Sequence, residues 1–509
     1  MMENTTAKGL LNWELIKNSP GKFGLKEDLN NLPEKVIQFG TGILLRGLVD
    51  YLIDKANKKN CFNGRIVVVK STGNSVDEFT GQNNLYTILE KGLYNGKADE
   101  QKSLITCISR VVPAQQKWAD ILQCAADPSI EIAVSNTTEA GLVFEPEGLT
   151  NQAPKSFPAK LTAYLWHRYK AFNGDVEKGM IILPTELVSN NGELLKQFVL
   201  KHAEDNKLPV EFTKWITNDN YFCNTLVDRI VPGKSEKNDQ INWSDNISYT
   251  DHLHTTVEPY LLWAIQGNDR VKQKLSFIQT DQRAVVAESI ESFKELKIRI
   301  LNGSNTSVVA PAYLAGLNTV YDTVIDTLFT PFTQQLIDQE IVPTLIENYP
   351  GAPGFAKEVM DRFGNPFIRY PLLNVALQCS SKMNSRNAAT IIRYHKIFDK
   401  YPPLMCIGLA SMFLFYTPGG RDEANYYGMR NDEKYFYRDE HTIFICDALD
   451  GIDWRNTSYA ETSVSTIINN DKIFSPELAA LPGISEMIAK FCKQLLNEGI
   501  RKTIEQYIK

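Results

Sequence analysis

Residues 35–54 read KVIQFGTGILLRGLVDYLID, and this stretch decides the fold of the first half of the chain. The apolar run Lys35–Phe39 predicts a short buried strand, and the segment after Gly42 has helical spacing, from about residue 44 to residue 58. Gly40 and Gly42 lie between the two. Glycine permits a tight turn and lets backbone N–H groups approach a phosphate where the helix begins. A strand, a Gly-x-Gly turn and a helix open a dinucleotide-binding βαβ unit.

This glycine turn lacks the third glycine of the usual fingerprint. Simple strand–turn–helix packing is therefore an alternative interpretation. A phosphate site here would comprise Phe39, Gly40, Thr41, Gly42, Leu45 and Arg46. The next strand ends in Val69-Lys70-Ser71, without the acid that binds the adenosine ribose of NAD, so the sequence leaves open a cofactor with a 2′-phosphate.

Further short apolar segments alternate with helical ones. The predicted strands are 65–69, 105–112, 130–134 and 180–183, and the predicted helices are 115–124 and 160–172. Continuous apolar strands separated by helices are typical of a parallel sheet covered on both faces. Ser135–Thr138 follow a strand at the edge where open sheets bind ligands, so Asn136 and Thr137 are predicted cofactor contacts. A helix-capping cluster is the alternative.

The second half of the chain has a different pattern. A polar stretch at 233–249 predicts an excursion between parts, and the pattern after about residue 285 is mostly helical. The predicted helices there are 292–301, 308–317, 331–349, 372–377, 387–399, 404–416 and 486–508. The fold class is thus predicted as α/β, with a Rossmann-type parallel-sheet domain over 1–285 and a mostly helical domain over 286–509. The active site is expected between them.

Composition excludes several classes of protein. The chain has 509 residues and a net charge of -6, which argues against nucleic acid as a partner. The longest apolar run, 404–416, is shorter than the roughly 20 residues of a membrane span, and the first residues do not resemble a signal peptide. The eight cysteines lack a C-x-x-C pair and are predicted to be reduced core residues of a cytoplasmic protein. The histidine pair in DHLHTT (251–256) is interpreted as a polar loop, so no metal is expected.

Residues 297–306 read KIRILNGSNT and carry the chemistry. Burial penalises the charged form of a lysine, so a half-buried Lys297 can act as acid or base near neutral pH. The amide of Asn302, five positions later, can donate to a developing oxyanion. This pairing suits proton transfer to or from an alcohol or ketone oxygen. A surface lysine followed by a helix-capping Asn-Gly pair is the alternative.

Six motifs occur in one order along the chain: IQFGTGILLRGLVDYLID (37–54), SNTTEAG (135–141), PTELVSNNG (184–192), FCNTLVDRIVPG (222–233), KIRILNGSNT (297–306) and RFGNPFIRY (362–370). Together they resemble the polyol-specific long-chain dehydrogenases, the mannitol dehydrogenase family, over nearly the whole chain. SNTTEAG and CNTLVDRIV favour the branch of that family that interconverts D-tagaturonate and D-altronate.

The resemblance implies a zinc-independent, NAD-dependent oxidoreductase that acts on a small-molecule sugar acid. By motif matching, Lys297 would be the catalytic acid/base and Asn302 would polarise the reacting oxygen. Substrate contacts would come from Asp228, Arg229, Lys382 and Asn191. No nucleic acid or membrane partner is implied, and the number of subunits is left open.

Two departures from the family pattern stand out. Asn305 occupies the place of a histidine that helps hold the substrate oxygen, and asparagine cannot carry a proton or a charge. Glu186 and Leu187 replace an Asp-Asn pair of mannitol enzymes, as in the tagaturonate branch. Cations that could meet a uronate carboxylate are Arg369, Lys382 and Arg386. The alternatives are fructuronate reductase or mannitol dehydrogenase activity, and a non-catalytic paralogue that binds cofactor or sugar acid.

Overall fold

The structure is a computed structural model, which describes residues 9–18, 27–137, 141–232, 249–423 and 425–508. Thr138 and most of the predicted polar excursion, residues 233–248, lie outside the described residues. The chain divides into two compact units. The first comprises Met1–Lys91 and Ala98–Glu291, and the second comprises Gly92–Lys97 and Ser292–Lys509.

Fifteen strands lie in the described part of the chain. In order they are β1 Glu34–Phe39, β2 Arg65–Lys70, β3 Tyr86–Tyr94, β4 Lys97–Ile105, β5 Ile108–Pro113, β6 Ile132–Ser135, β7 Ile181–Pro184, β8 Tyr221–Phe222, β9 Thr225–Asp228, β10 Thr255–Val257, β11 Leu262–Gln266, β12 Ala284–Ala287, β13 Gly420–Asp422, β14 Asn425–Arg430 and β15 Glu433–Phe436. The main sheet of the first unit is parallel and runs β5-β2-β1-β6-β7-β8.

Both faces of the main sheet are buried. Successive residues of a strand point to opposite faces. In β1, Val36 belongs to one apolar cluster and Ile37 to another, and both side chains are fully buried. The same alternation continues in β2, with Ile66 and Val67. The predicted parallel sheet covered on both faces is therefore confirmed.

Helical segments cover this sheet and continue around it. They are Trp13–Lys17, Glu27–Asn31, Ile43–Leu45, Arg46–Asp50, Tyr51–Lys58, Asp77–Thr80, Trp118–Ala125, Phe157–Ala171, Val176–Lys178, Asn191–Asp205, Val210–Asp219, Asp269–Lys274 and Ser276–Thr280. Ile43–Leu45, the π-helical Arg46–Asp50 and Tyr51–Lys58 follow one another without a break. They form the helix that was predicted after the glycine turn.

The predicted strand at 105–112 is wrong as a single element. β4 ends at Ile105 and β5 begins at Ile108. Between them, the N–H and the hydroxyl of Thr106 donate to Oδ1 of the buried Asp54, at 2.6 and 2.9 Å. A buried carboxylate thus replaces the strand ladder as the hydrogen-bond partner, and the chain leaves one sheet for another. The two small sheets β10-β3-β4 and β12-β11-β9 were not predicted.

The second unit is mostly helical, as predicted. Its helical segments are Glu291–Leu296, Lys297–Gly303, Ser304–Leu314, Val320–Ile325, Phe329–Gln335, Leu336–Ile341, Val342–Thr344, Ala352–Phe363, Leu372–Val375, Cys379–Lys382, Met383–Ala388, Ala389–Phe398, Pro403–Tyr416, Thr442–Leu449, Thr457–Ile468, Pro476–Ala479, Ile484–Glu498 and Ile500–Glu505. The small antiparallel sheet β13-β14-β15 was not predicted. The helix expected at 486–508 is interrupted at Gly499, where φ is +85°.

The apolar helix Pro403–Tyr416 lies at the centre of the second unit, with almost every side chain buried. Its first N–H groups are satisfied by the buried carboxylate of Glu340, which accepts from Leu404 and Met405 at 2.8 Å each. Helix N-termini favour negative charge, although burial raises the pKa of Glu340 to about 8. No helix among the described residues is long and apolar enough to cross a membrane.

The cysteines are all free thiols, and seven of them are buried. Cys61 is exposed in the turn that follows the helix Tyr51–Lys58, so the prediction of a core position is wrong for this residue. Its neighbours Asn60 and Asn63 are polar, and the chain there turns with positive φ at both asparagines. The position is a surface turn. Its apolar neighbour Phe62 gave the segment the appearance of a core segment in the sequence.

Candidate active site

Gly40 connects β1 to the helix of the glycine turn and requires the absence of a side chain. Its φ is +135°, a conformation that other residues rarely adopt. A Cβ at this position would come within 3.0 Å of the Leu45 side chain and 3.2 Å of the Asn136 carbonyl oxygen. Its N–H donates to the carbonyl of Val69 at 3.0 Å, which joins the turn to β2. The glycine is therefore required by the packing of the turn itself.

Gly42 has a different environment. It is exposed, it adopts an ordinary φ of -62° immediately before Ile43, and a Cβ there would meet no atom within 4 Å. Open space thus adjoins the N-terminus of the helix that continues to Lys58. Backbone N–H groups at such a terminus form a site for anions, above all phosphate. The turn fits a dinucleotide pyrophosphate.

The other residues predicted around this turn serve its packing. The ring of Phe39 lies against Phe157 and Tyr164, with centroid distances of 5.3 and 6.2 Å. Leu45 is fully buried against Gly40, and Thr41 is half-buried. These side chains fix the backbone that would meet a phosphate.

Arg46 is buried inside the first unit. Its Nη1 donates to the carbonyl of Leu253 at 2.6 Å, and its guanidinium lies over the ring of Tyr86 at 5.7 Å. The Tyr86 hydroxyl donates in turn to the Arg46 carbonyl at 3.1 Å. The guanidinium therefore ties the helix to neighbouring segments instead of reaching toward the glycine turn.

A buried carboxyl group organises the sheet edge beside the turn. Glu186, at the end of β7, is 2% exposed and accepts from the N–H of Thr137 at 2.9 Å and from the hydroxyl of Ser135 at 3.2 Å. Burial raises the pKa of Glu186, although these hydrogen bonds oppose the shift. Asn136 donates from Nδ2 to the carbonyl of Thr185 at 3.1 Å. The ends of β6 and β7 thus fix the segment on which cofactor contacts were predicted.

The end of β2 holds no acid in the described structure. Lys70 reaches over the following loop, where its Nζ donates to the carbonyl of Ser75 at 2.7 Å. A cleft of about 450 Å³ lies beside this loop and is lined by residues 74–77 and by the end of β5, among others. In open parallel sheets this edge receives the adenosine half of a dinucleotide. The residues present therefore fit a dinucleotide, without the acid that favours NAD.

Two residues predicted as substrate contacts have structural roles in the first unit. Asn191 is 1% exposed; its Nδ2 donates to the carbonyls of Pro184 and Glu186 at 3.1 and 3.0 Å, and its Oδ1 accepts from the N–H of Thr225 at 2.9 Å. An amide with these backbone partners fastens β7 to β9.

The guanidinium of Arg229 has no exposed surface. It donates to the carbonyls of Gly47 and Glu258 at 2.6 and 3.0 Å, forms an ion pair with Glu90, and lies over the ring of Tyr51. Because its donors are occupied within the unit, we do not retain Arg229 as a substrate contact. Its neighbour Asp228 ends β9 and is 9% exposed.

Lys297 begins a π-helical segment that ends at Gly303. In a π-helix the backbone N–H of each residue bonds to the carbonyl five residues earlier. Asn302 is therefore the neighbour of Lys297 one turn further along, whereas in an α-helix five residues would carry it to another face. π-Helical turns occur frequently at functional sites. The spacing of five that was noted in the sequence therefore matches the hydrogen-bond period of this π-helical segment.

Asn302 and Asn305 are two half-buried amides on the helical segments that follow Lys297. Both are half-buried, and within the described residues neither side-chain amide forms a hydrogen bond. Three residues apart on a helix, they are neighbours on one face. Two half-buried amides and a half-buried lysine thus lie within two consecutive helical segments.

A second π-helical segment, Met383–Ala388, packs against this helix. Arg299 donates from Nη1 to the carbonyls of Ser385 and Arg386, both at 2.8 Å. Asn387 donates from Nδ2 to the carbonyl of Gly303 at 3.1 Å and to Ser307 Oγ at 2.6 Å. These contacts hold the backbone of Arg386 and Asn387 against the helix that carries Asn302, and sequence reasoning did not find them. The one available hint was the lysine–asparagine spacing, which suits a π-helix.

The histidine pair of DHLHTT lies in a turn of the first unit. Nδ1 of His254 is 2.8 Å from the carbonyl oxygen of Asp251, and the N–H of His252 donates to Gln82 Oε1 at 2.6 Å. In the described ranges there is no group of three or more His, Cys, Asp or Glu side chains that could hold a metal ion.

A parallel Rossmann-type sheet with a glycine turn before its first helix is typical of dinucleotide-dependent dehydrogenases. Comparison with known families gives the particular group. The model of the mannitol dehydrogenase Rossmann domain matches residues 34–279, and that of the mannitol dehydrogenase C-terminal domain matches residues 289–496. The chain belongs to the mannitol dehydrogenase family. The predicted resemblance is confirmed, and the protein is an enzyme of that family.

Curated relatives extend over nearly the full length. An altronate oxidoreductase of Halalkalibacterium halodurans is 33% identical, with 93% of each chain covered. One of Bacillus subtilis is 32% identical over 93% of this chain and 95% of its own. A third, of Yersinia enterocolitica, is 33% identical over 93% and 97%.

Solved structures share the fold. Pseudomonas fluorescens mannitol 2-dehydrogenase, in a ternary complex with NAD and D-mannitol, is 19% identical with a TM-score of 0.66, over 98% of this chain and 99% of its own. A substrate-free D-sorbitol dehydrogenase is 18% identical with a TM-score of 0.76, over 97% and 100%. The predicted fold class, a Rossmann-type α/β domain plus a helical domain, is confirmed.

Proposed function

We propose that this enzyme interconverts D-tagaturonate and D-altronate with NAD as the cofactor and Lys297 as the acid/base. The curated relatives are named for altronate, and a solved relative of the same fold carries NAD. The observation that supports the chemistry is the π-helical segment Lys297–Gly303, whose five-residue hydrogen-bond period matches the spacing of Lys297 and Asn302. One group there can transfer a proton and the other can hold the oxygen that changes charge.

The first unit supplies the residues that would hold the cofactor. The open N-terminus at Gly42 would take the pyrophosphate, and the segment of Asn136 and Thr137, fixed by Glu186, would contact the remainder. When bound, NADH supplies the hydride that reduces a carbonyl carbon, and NAD+ accepts it in the reverse direction. The lysine and the asparagines of the second unit would transfer the proton and donate hydrogen bonds at the substrate oxygen.

In the reductive direction, protonated Lys297 donates to the carbonyl oxygen while the Asn302 amide donates a hydrogen bond to it. The amide stabilises negative charge as it develops on that oxygen, because its dipole is already oriented by the helix. In the oxidative direction, neutral Lys297 accepts the hydroxyl proton. The side chain is half-buried, and burial in general penalises the charged form of a lysine relative to its neutral amine.

Asn305 occupies the position of the family histidine, so the proposed site has one titratable side chain fewer. Its amide, which forms no hydrogen bond with the described residues, can donate to the same substrate oxygen or to a neighbouring hydroxyl, but it cannot titrate. We therefore expect Lys297 alone to set the pH dependence of the chemical step. An Asn305→His variant should add a titration near the ordinary histidine range to the pH profile.

Replacement of Lys297 by alanine tests the proposal. Turnover with tagaturonate should fall by at least about 100- to 1000-fold, the usual cost of removing one group that stabilises the reacting oxygen. NADH affinity should stay within about 2-fold, since the cofactor residues lie in the other unit. Lys396→Ala, at an exposed position of the helix Ala389–Phe398, is the matched control and should behave as wild type. Near-normal turnover in Lys297→Ala would contradict the assignment.

A panel of substrates distinguishes the proposed activity from fructuronate reductase and mannitol dehydrogenase activity. The purified enzyme would be assayed for oxidation of NADH and NADPH with tagaturonate, fructuronate and fructose in parallel. NADH oxidation with tagaturonate far above the other two supports the proposal. Preference for fructuronate would indicate a fructuronate reductase, and preference for fructose would indicate a mannitol dehydrogenase. NADH binding without turnover would indicate a non-catalytic paralogue.

A further inference from the structure

Two cations lie side by side in the second unit without an acid to neutralise them. Lys382 ends the helix Cys379–Lys382, and Arg386 follows four residues later in the continuous π-helical segment. Lys382 donates from Nζ to the carbonyl of Val375 at 3.0 Å. Within the described ranges neither side chain forms an ion pair, and both are half-buried.

The acid whose charge acts on Lys382 has other hydrogen-bond partners. Asp439 accepts from the N–H and the hydroxyl of Ser380, both at 2.8 Å, and from the hydroxyl of Tyr416 at 2.6 Å. Burial lowers the pKa of Lys382, and the charge of Arg386 lowers it further. Two adjacent positive charges in a partly dehydrated place are costly unless an anion joins them. The pair thus has the electrostatics of an anion site that the protein itself leaves unfilled in its described part.

Arg386 is hydrogen-bonded to the helix that carries Asn302 and Thr306. Its Nη1 donates to Oγ1 of Thr306 at 3.1 Å, and that hydroxyl donates to the carbonyl of Asn302 at 2.8 Å. Arg299 fixes the backbone of Arg386 by donating to its carbonyl. The remaining nitrogens of the guanidinium, Nη2 and Nε, have no hydrogen-bond partner among the described residues. Two neighbouring N–H groups of this kind can bind one carboxylate with two parallel hydrogen bonds.

The spacing along the helix suits a six-carbon sugar acid. Thr306, to which Arg386 is bonded, stands four residues beyond Asn302, about one helical turn or 5.4 Å. In an extended hexuronate, the ketone carbon and the carboxylate carbon are four bonds apart, about 5 Å. A substrate whose ketone oxygen meets Asn302 could therefore extend its carboxylate toward Arg386.

We propose that Arg386, with Lys382 beside it, forms the site that receives the substrate carboxylate and makes the enzyme select an acid over a neutral sugar. This inference rests on the proposed function for the chain length of the substrate. Arg369 does not share the role. Its side chain is 63% exposed, lies over the ring of Tyr321 and is 4.0 Å from Asp322.

The test compares an acid with its neutral counterpart. D-altronate and D-altritol, which has a hydroxymethyl group in place of the carboxylate, would be titrated into the protein in the presence of NAD. Arg386→Met should weaken D-altronate binding by about 10- to 100-fold and leave D-altritol binding within about 2-fold, because only the acid loses a charge-assisted pair. Arg386→Lys keeps the positive charge but loses the two parallel N–H donors of the guanidinium. Its affinity for D-altronate should lie between those of wild type and Arg386→Met. Arg369→Met is the matched control and should bind both ligands as wild type does.

Each outcome decides the inference. Equal losses for D-altronate and D-altritol in Arg386→Met, or a wild-type protein that binds the acid no better than the polyol, would overturn it. Thermal unfolding of each variant separates misfolding from lost recognition, and Arg386→Lys gives the answer if Arg386→Met does not fold. Turnover with tagaturonate judges the proposed function separately. Acid-selective binding without turnover would refute that function and leave the carboxylate site intact.

Discussion

The two glycines of the first turn should respond to alanine in opposite ways. Gly40 has a φ of +135°, and an added Cβ would approach Leu45 and the Asn136 carbonyl to 3.0 and 3.2 Å. Gly42 has a φ of -62°, and nothing lies within 4 Å of an added Cβ. The same methyl group is therefore obstructed by the protein at one position and projects into open space at the other.

The magnitudes follow from these environments. For Gly40→Ala, the unusual backbone conformation costs about 1–3 kcal/mol, and overpacking against Leu45 and Asn136 adds about 1–3 kcal/mol. We expect a loss of about 2–6 kcal/mol in the free energy of unfolding. For Gly42→Ala the change should stay within about 0.5 kcal/mol, because the conformation and the space are ordinary. A methyl group at Gly42 would, however, occupy the space where a pyrophosphate approaches the backbone.

The assay measures stability and cofactor affinity on the same preparations. Urea unfolding followed by circular dichroism gives the free energy of unfolding, and NADH fluorescence gives the dissociation constant. Gly42→Ala should unfold as wild type does while its NADH affinity falls by at least about 10-fold. Gly40→Ala should be less stable, whatever its affinity.

The result that refutes this reasoning is specific. If Gly42→Ala binds NADH as tightly as wild type, the pyrophosphate does not lie at this turn, and simple strand–turn–helix packing explains both glycines. A stable Gly40→Ala would contradict the packing argument instead. Gly316→Ala provides a further control for backbone strain, because its φ is +98° but an added Cβ would meet nothing within 4 Å.

Two buried acids of the first unit give further predictions. Burial raises the pKa of Asp50 to about 7 from an ordinary 3.8, so the folded state keeps a proton that the unfolded state releases. The free energy of unfolding should therefore fall by up to about 4 kcal/mol as the pH rises from about 4 to 7. In Asp50→Asn this fall should be much smaller. If the free energy of unfolding of Asp50→Asn depends on pH as strongly as that of wild type, Asp50 is not the cause. Glu186→Ala should weaken NADH binding by about 10-fold, because the N–H of Thr137 loses its acceptor, whereas Glu186→Gln retains an acceptor oxygen and most of the affinity. Equal NADH affinities in the two variants would show that Glu186 does not position this segment.

Short-range patterns in the sequence were sufficient for most of the elements that carry the site. The apolar runs at Glu34–Phe39 and Arg65–Lys70 are strands because both faces are buried, and continuous apolarity states that directly. The separation of β4 from β5 could not be predicted, because it depends on Asp54, which is distant in sequence from Thr106. The hydrophobic periodicity of a segment does not show that a side chain distant in sequence will replace its strand hydrogen bonds.

The candidate site divides in the same way. Lys297 and Asn302 were proposed from residue type and spacing, and the structure shows that both lie in one π-helical segment. Arg229 was assigned to substrate from its motif, but its partners Gly47, Glu258 and Glu90 are remote in the chain and consume its donors. A motif records which residues recur together, and it does not say whether they meet a ligand or each other.

By itself, the sequence determined the fold class, the family, and the residue types that can bind a dinucleotide and move a proton. These depend on local periodicity, turn chemistry and the identities of a few side chains. Only the tertiary structure decided that Arg386 lies beside Thr306, that Glu186 holds Thr137, and that Gly42 opens to empty space while Gly40 does not. Each of these depends on distances between segments far apart in the chain, which are set by the packing of whole elements and leave no local trace in the sequence.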